Sequence, residues 1–363
     1  MITHEEVDNP ALDAFEKQMS DRMKKVGLPG VSLLVVQHGL LIEQEAWLDY
    51  DLDTVVPIAS ASKWLTAATV MTLVDQGKIV LDQPISTYLD YADGKFGTIT
   101  MRQLLSLSAG IRSDEAIPCY KDQSITLDEC NQQIAKLPLE SDPGQVFHYG
   151  GQHLHVAASV VEKVTGQRFV DAFQEQIAKP LKMDHTTFRG STVLVPNSND
   201  SHPSPAGSAE SSLGDYGRFL EMIYHDGMAP GGMRILEAQS VKEMQTSQID
   251  DTKRYRGPGY RMKEHNPYAL GEWLDWSDKD GKAIVLSSDG AFGFRPWIDK
   301  QNDIFGVYMI QDTGAGVVEG DPRDTADASN VPTSGPWVFD EVATVLGGSL
   351  PKDKTPAPDN WPR

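Results

Sequence analysis

The chain has 363 residues, 40% of them hydrophobic and 23% charged, with a formal net charge of -20 at pH 7. These are the proportions of a folded globular protein, long enough for one large domain or two ordinary ones. The acidity argues against nucleic acid and anionic membrane surfaces, both of which need clustered Lys and Arg, and no apolar run reaches the roughly 18 residues of a membrane span.

The start, MITHEEVDNP, is acidic and polar and does not read as a signal peptide. The protein is therefore expected to be either a periplasmic or secreted mature form that has lost its leader, or a cytoplasmic one. After Pro10, apolar residues recur at Leu12, Phe15, Met19, Met23 and Val26, a helical period that Gly27 can end. VSLLVVQ (31–37) and LLIEQEAW (40–47) flank His38-Gly39 and read as a β-hairpin. The run 60–76 is apolar almost all round, so its helix is buried on most sides, with Gly77 as its stop.

The only two cysteines, Cys119 and Cys130, lie in the polar segment IPCYKDQSITLDEC. They form either a disulfide closing a short loop or two free thiols. A disulfide would favour an oxidising compartment and a removed leader.

The middle of the chain is largely helical. One helix runs over 152–165 and ends at Gly166; Phe169, Phe173 and Ile177 mark the next amphipathic segment. Ser212-Leu-Gly-Asp215 resembles a capping box ahead of Tyr216, Phe219, Leu220 and Ile223. Strands return with AIVLSS (283–288), FRPWID (294–299) and IFGVYMI (304–310), the last two joined by a turn over 299–303. A final helix is expected over 337–346, while 311–332 and the Pro-rich tail 351–363 look irregular and exposed.

The expected fold class is α/β (α+β), an antiparallel sheet flanked by N- and C-terminal helices, with an inserted all-α subdomain. A single catalytic domain would span 1–350, its α/β part covering about 8–59 and 235–350 and its helical part about 60–234.

Within PIASASKWLTAA (57–68), Ser60 and Lys63 are three residues apart. On a helix that spacing puts them on one face with Cβ atoms roughly 5–6 Å apart, whereas Ser62 points about 200° away from Ser60. Apolar neighbours would desolvate Lys63, and a neutral amine can take a proton from a serine hydroxyl. Ser349-Leu350-Pro351-Lys352 repeats the spacing in a proline-rich setting, so spacing by itself does not select a nucleophile.

PIASASKWLTAATVMTLVDQGKIVLDQPISTYL, TITMRQLLSLSAGI, PGQVFHYGGQHLHVAASVVEKVTGQRF, IAKPLKMDHTTF, SAESSLGDYGRFLEMI and SSDGAFGFRPWID follow one another at family separations. From about residue 29 to 310 the chain resembles the serine β-lactamase and penicillin-binding D-alanyl-D-alanine peptidase superfamily. It looks most like the branch of class C β-lactamases and family VIII carboxylesterases. The resemblance implies that Ser60 is the acylated nucleophile, activated by Lys63 and by Tyr149, the tyrosine of the second motif. A phenol with a pKa near about 10 in water becomes a proton shuttle when cations favour its anion; residue type does not decide which of the two is the base. The resemblance also implies an oxyanion hole from the backbone N–H groups of Ser60 and Ala291, donors fixed where charge develops.

Two departures bear on substrate. The second motif reads Tyr149-Gly150-Gly151 where the family has Tyr-x-Asn, so Gly151 lacks the usual amide. The third reads Ser288-Asp289-Gly290 where a Lys, His or Trp usually leads. Ser288, Asp289, Gly290 and Gly151 are thus expected to border the substrate, and Asp289 would repel a substrate carboxylate.

A carboxylesterase for small or medium esters is therefore expected. The alternatives are a D-amino-acid amidase or peptidase, a weak β-lactamase, or a non-catalytic relative that binds an acyl group or peptide. The expected partner is a small-molecule ester or amide, and the expected state a monomer or small homo-oligomer. No cofactor is implied. His148, His153 and His155 crowd beside Tyr149, but two of them diverge on a helix, so hydrogen bonding rather than a metal is expected there. No G-x-S-x-G elbow and no phosphate-binding loop occur. The Trp and Tyr residues between 255 and 280 could serve an acyl pocket or the core.

Overall fold

The computed structural model describes residues 28–112, 117–189, 199–249, 254–256, 268–278, 282–311 and 342–348, with helical positions between 12 and 24. β1 (Gly30–Gln37) and β2 (Leu40–Leu48) form the hairpin. The turn residues His38 and Gly39 have φ of 52° and 73°, the left-handed pair that matches strand twist in a two-residue hairpin.

Two short pairs, β3 (Val55–Pro57) with β5 (Glu210–Ser212) and β4 (Val146–His148) with β6 (Arg254–Arg256), tie distant segments together. They are three residues each and carry no alternation that sequence could show. β7 (Trp273–Ser277), β8 (Ala283–Ser287), β9 (Arg295–Asp299) and β10 (Ile304–Met309) complete a six-stranded antiparallel sheet in the order β2-β1-β10-β9-β8-β7. At the turn 299–303, the Asp299 carboxylate accepts the N–H groups of Gln301 and Asn302 at 2.9 and 3.1 Å.

Side chains alternate across this sheet because successive strand residues face opposite ways. Val31, Leu33 and Val35 of β1, with Ile304 and Tyr308 of β10, pack against Leu12, Val342 and Ala343 of the terminal segments. Leu34 and Val36, with Phe305, Val307 and Met309, face the helical side. The sheet is thus covered on both faces, as the strand pattern predicts.

α1 (Ser62–Asp75) is buried from Ser62 through Leu73, and Gly77, at φ 69°, stops it. Its start differs from expectation: Ala59–Ala61 is a 3₁₀ turn, and the α-helix begins at Ser62. Ser62 Oγ donates to the Ala59 carbonyl at 2.6 Å and accepts the Ala209 N–H at 3.0 Å, which pins the tighter turn. α2 (Leu127–Ile134) packs against α3 (Gln152–Thr165), and α3 against α1; Gly166 ends α3 at φ 69°. The segment after Arg168 is continuous but widens into a π-turn over Gln174–Ala178; Pro180 has no N–H to continue a regular ladder.

α4 (Leu213–Tyr224) is capped by Ser212, whose Oγ accepts the Asp215 N–H at 3.4 Å. Asp215 itself does not close a box. It accepts the His185 N–H at 2.7 Å and the Thr186 hydroxyl at 2.9 Å, and pairs with Arg218. The loop 311–332 lies beyond residue 311 outside the described residues, as do the tail 351–363 and positions 337–341 of the final expected helix; 342–345 are helical.

Candidate active site

Ser60 sits in the 3₁₀ turn between β3 and α1. The turn is held from both sides: the Ile58 N–H donates to the Ala209 carbonyl at 3.0 Å, and the Ala61 N–H to the Ile58 carbonyl at 3.0 Å. Ala59, just before Ser60, has φ 44°, a left-handed conformation costing an L-residue about 1–2 kcal/mol.

Lys63 follows one turn later and is 4% exposed. Its Nζ donates to Ser60 Oγ at 2.9 Å and to the Ala206 carbonyl at 3.0 Å. The same nitrogen lies 4.7 Å from the centroid of the Tyr149 ring, whose electron-rich face favours a cation there. Tyr149, between β4 and α3, stacks on Trp273 with centroids 5.2 Å apart and meets Tyr268 edge-on at 6.2 Å. Ser60, Lys63 and Tyr149 therefore meet in one place, with Lys63 touching both others.

The third-motif residues form the turn between β8 and β9. Ser288 Oγ makes long contacts, donating towards the Ser60 carbonyl at 3.4 Å and the Gly271 carbonyl at 3.5 Å. The Gly290 N–H donates to the Phe294 carbonyl at 2.8 Å. A Cβ on Gly290 would stand 2.4 Å from the Ile58 carbonyl oxygen, so only glycine lets this turn lie against the backbone that leads into Ser60. Ala291 follows, exposed, on the same turn.

Asp289 changes in meaning. Its carboxylate is buried and pairs with Arg295 of β9, their side chains 2% and 4% exposed. The negative charge is compensated within the protein, so the repulsion of a substrate carboxylate expected from the sequence has no free charge to act through. Gly151 is the N-cap of α3 and is buried. Gln152 beside it turns inward, its Nε2 3.4 Å from the Ile111 carbonyl.

His148, His153 and His155 turn to different partners. His153 Nε2 lies 3.0 Å from the His148 carbonyl, and burial pushes its imidazole down to about 3, keeping it neutral. His155 points the other way, to Asn131 and His202, and burial holds both His155 and His202 below the usual histidine range. Cys119 and Cys130 are joined, with Cα atoms 5.4 Å apart.

Several contributors escape sequence reasoning. Trp273 and Tyr268 belong to the aromatic group between 255 and 280, and become site neighbours only once stacked on Tyr149. Arg295 stands out as the one cation in a largely apolar strand. Ala206 acts through its carbonyl, which leaves no mark in a sequence. Beside Gly271, whose backbone abuts the Lys63 carbonyl, Glu272 is fully buried. Burial holds its carboxyl well above the usual range, against the opposing pull of the Lys300 ammonium and the Trp64 indole N–H.

Residues 15–330 match the profile of the Beta-lactamase family. Protein flp of Staphylococcus aureus (strain MW2) is 27% identical over 180 residues, 46% of this chain but 36% of flp; the match thus spans about a third of that relative. Penicillin-binding protein 4 of Amycolatopsis lactamdurans is 27% identical over 303 residues, covering 74% of this chain and 77% of the relative. Among solved structures, a candidate beta-lactamase from Bacteroides dorei DSM 17855 superposes with a TM-score of 0.80 at 30% identity, covering 92% of this chain and 98% of the other. A family VIII carboxylesterase superposes with a TM-score of 0.65 at 17% identity, covering 84% and 93%, a likeness of fold.

Proposed function

The chain belongs to the Beta-lactamase family, a family of serine hydrolases, and from that premise we propose that it is a carboxylesterase acting through an acyl-enzyme on small or medium esters. The observation that carries the reading is the buried Lys63 ammonium set 2.9 Å from Ser60 Oγ and over the Tyr149 ring. In its neutral form the lysine faces the hydroxyl proton it would remove. Ser60 Oγ then bonds to the ester carbonyl carbon, and the charge on oxygen falls to the N–H groups of Ser60 and Ala291. The C–O bond breaks, and the alkoxide leaves as an alcohol with a proton returned through Lys63 and Tyr149. Water, deprotonated by the same pair, releases the acid and restores Ser60.

The choice of ester rests on the third motif. Ser288 replaces the leading cation or aromatic, and the cation on the adjoining strand, Arg295, is committed to Asp289. A substrate carboxylate, which β-lactams and D-alanine peptides carry, gains no free positive charge from these residues. A neutral ester needs none. The pairing of Asp289 likewise withdraws support from recognition of a D-amino-acid ammonium.

Mass spectrometry after exposure to a fluorophosphonate and to p-nitrophenyl esters tests the reading. A covalent adduct on Ser60 is expected, absent in Ser60→Ala. In Lys63→Met the acylation rate should fall roughly 100- to 10,000-fold, the usual contribution of general acid–base catalysis. Faster turnover of D-amino-acid amides or a cephalosporin than of any ester would reject the ester assignment; an unmodified Ser60 would reject the mechanism.

A further inference from the structure

A second cluster of reactive side chains lies outside the hydrolytic site. Cys130 of α2, His155 of α3 and His202 bring one sulfur and two imidazole nitrogens within 4.8 Å of one another, and all three residues are buried. Cys119 is bonded to Cys130; its sulfur stands outside that mutual range and would have to swing towards the imidazoles once the bond is broken.

The hydrogen bonds around the two rings fix their tautomers. His202 Nδ1 lies 2.8 Å from the Asp122 carbonyl, which only accepts, so this nitrogen carries a hydrogen. His155 Nδ1 lies 2.9 Å from Asn131 Oδ1. The orientation of that amide is set because Asn131 Nδ2 donates to the His155 carbonyl at 2.9 Å, so His155 Nδ1 also carries a hydrogen. Each neutral ring is left with its Nε2 lone pair, and the two Nε2 atoms face each other at 3.0 Å. Two lone pairs that close call for a cation between them. Nitrogens bound at about 2.0–2.1 Å to a tetrahedral Zn²⁺ stand roughly 3.3–3.4 Å apart, close to that spacing.

We propose that reduction of the Cys119–Cys130 disulfide opens a tetrahedral metal site, with Cys119 Sγ, Cys130 Sγ, His155 Nε2 and His202 Nε2 as ligands for Zn²⁺. A dithiol supplies the two electrons and two protons: its own sulfurs become a disulfide as the S–S bond of the protein breaks. The two new thiols release their protons to solvent as the metal binds. Two thiolates, two neutral imidazoles and one Zn²⁺ sum to zero charge, which suits a buried location. The Nδ1 hydrogen bonds to Asn131 and to the Asp122 carbonyl are those that orient a ligating imidazole.

The test uses the whole chain, oxidised or reduced with a dithiol that is then removed under anaerobic conditions, with Co²⁺ and Zn²⁺ as the only probes. The reduced protein is expected to bind one Co²⁺ per chain, with the visible bands of a tetrahedral cobalt–thiolate centre, and to lose them when Zn²⁺ is added. The oxidised protein should give no thiolate bands. His202→Gln and Cys119→Ser should each weaken Co²⁺ binding at least 10-fold, with folding checked by far-UV circular dichroism. If those variants fail to fold, the oxidised and reduced wild-type proteins decide alone. Absence of thiolate bands in the reduced wild type overturns the proposal and leaves a shared proton as the occupant of the His–His contact. Bands unchanged in a folded His202→Gln overturn it, and so does a reduced chain that stays unfolded with Zn²⁺ present.

Discussion

Ser62 Oγ both donates to the Ala59 carbonyl and accepts the Ala209 N–H, while Ser60 Oγ meets Lys63. One hydroxyl is spent on the backbone and the other faces an amine. Ser62→Ala is therefore expected to keep the Ser60 adduct but to cost about 1–3 kcal/mol of stability, because it leaves a buried N–H unsatisfied; labelling and chemical denaturation of the same preparation separate the two effects. Glu272 gives a pH prediction. Its folded pKa is raised, by burial first, from an ordinary value of 4.5. The folded state thus binds the proton more tightly than the unfolded chain does. Its contribution is fully present below the unfolded value and is lost as pH rises from there to the folded one. Glu272→Gln should flatten this decline, seen as a smaller fall in Tm between pH 5 and pH 8 than in wild type. An unchanged slope would count against a buried, protonated Glu272.

Two backbone devices shape the turn that carries Ser60, and they should respond in opposite directions. Ala59 is held left-handed at φ 44° by the Ser62 and Ala209 contacts, which is strain stored beside a candidate nucleophile. Ala59→Gly should relieve it and raise stability by about 1 kcal/mol. Gly290 lies against the Ile58 carbonyl, so Gly290→Ala must push the third-motif turn away from the segment before Ser60. A loss of about 1–3 kcal/mol, the usual range for overpacking, is expected together with a fall in acylation rate of at least 10-fold. Acylation kinetics and denaturation on both variants check the pair; a fully active Gly290→Ala would show that the turn does not set Ser60.

At the scale of the molecule, one sheet divides two cores: a small one with the terminal segments and a large one with the helical region. The lysine of the site lies on the side of the large core, where Ala206 and Ala209 reach α1. The Cys119–Cys130 bond closes a loop with a sequence separation of 11. Reduction without metal should lower stability by about 3 kcal/mol on the chain-entropy account, measured by denaturant titration of the oxidised and reduced forms. Among the described residues, no helix is long and apolar enough to cross a membrane.

The sequence by itself determined the regular elements. Apolar runs bounded by turn residues placed β1, β2, β8, β9 and β10, and glycines placed the ends of α1 and α3, because runs, turns and left-handed stops are local properties. It also singled out Ser60, Lys63 and Tyr149, since ordered motifs survive when the intervening chain varies. The three-residue strands were illegible, as pairing between distant segments needs no periodic signal. So were the carbonyl of Ala206, the stacking of Trp273 on Tyr149, and the meeting of His155 with His202. Asp289 shows the division most clearly: composition gave it a charge, but only the tertiary structure set Arg295 against it. A charge acts on a substrate through the field left after its neighbours have been counted, and those neighbours are chosen by the fold.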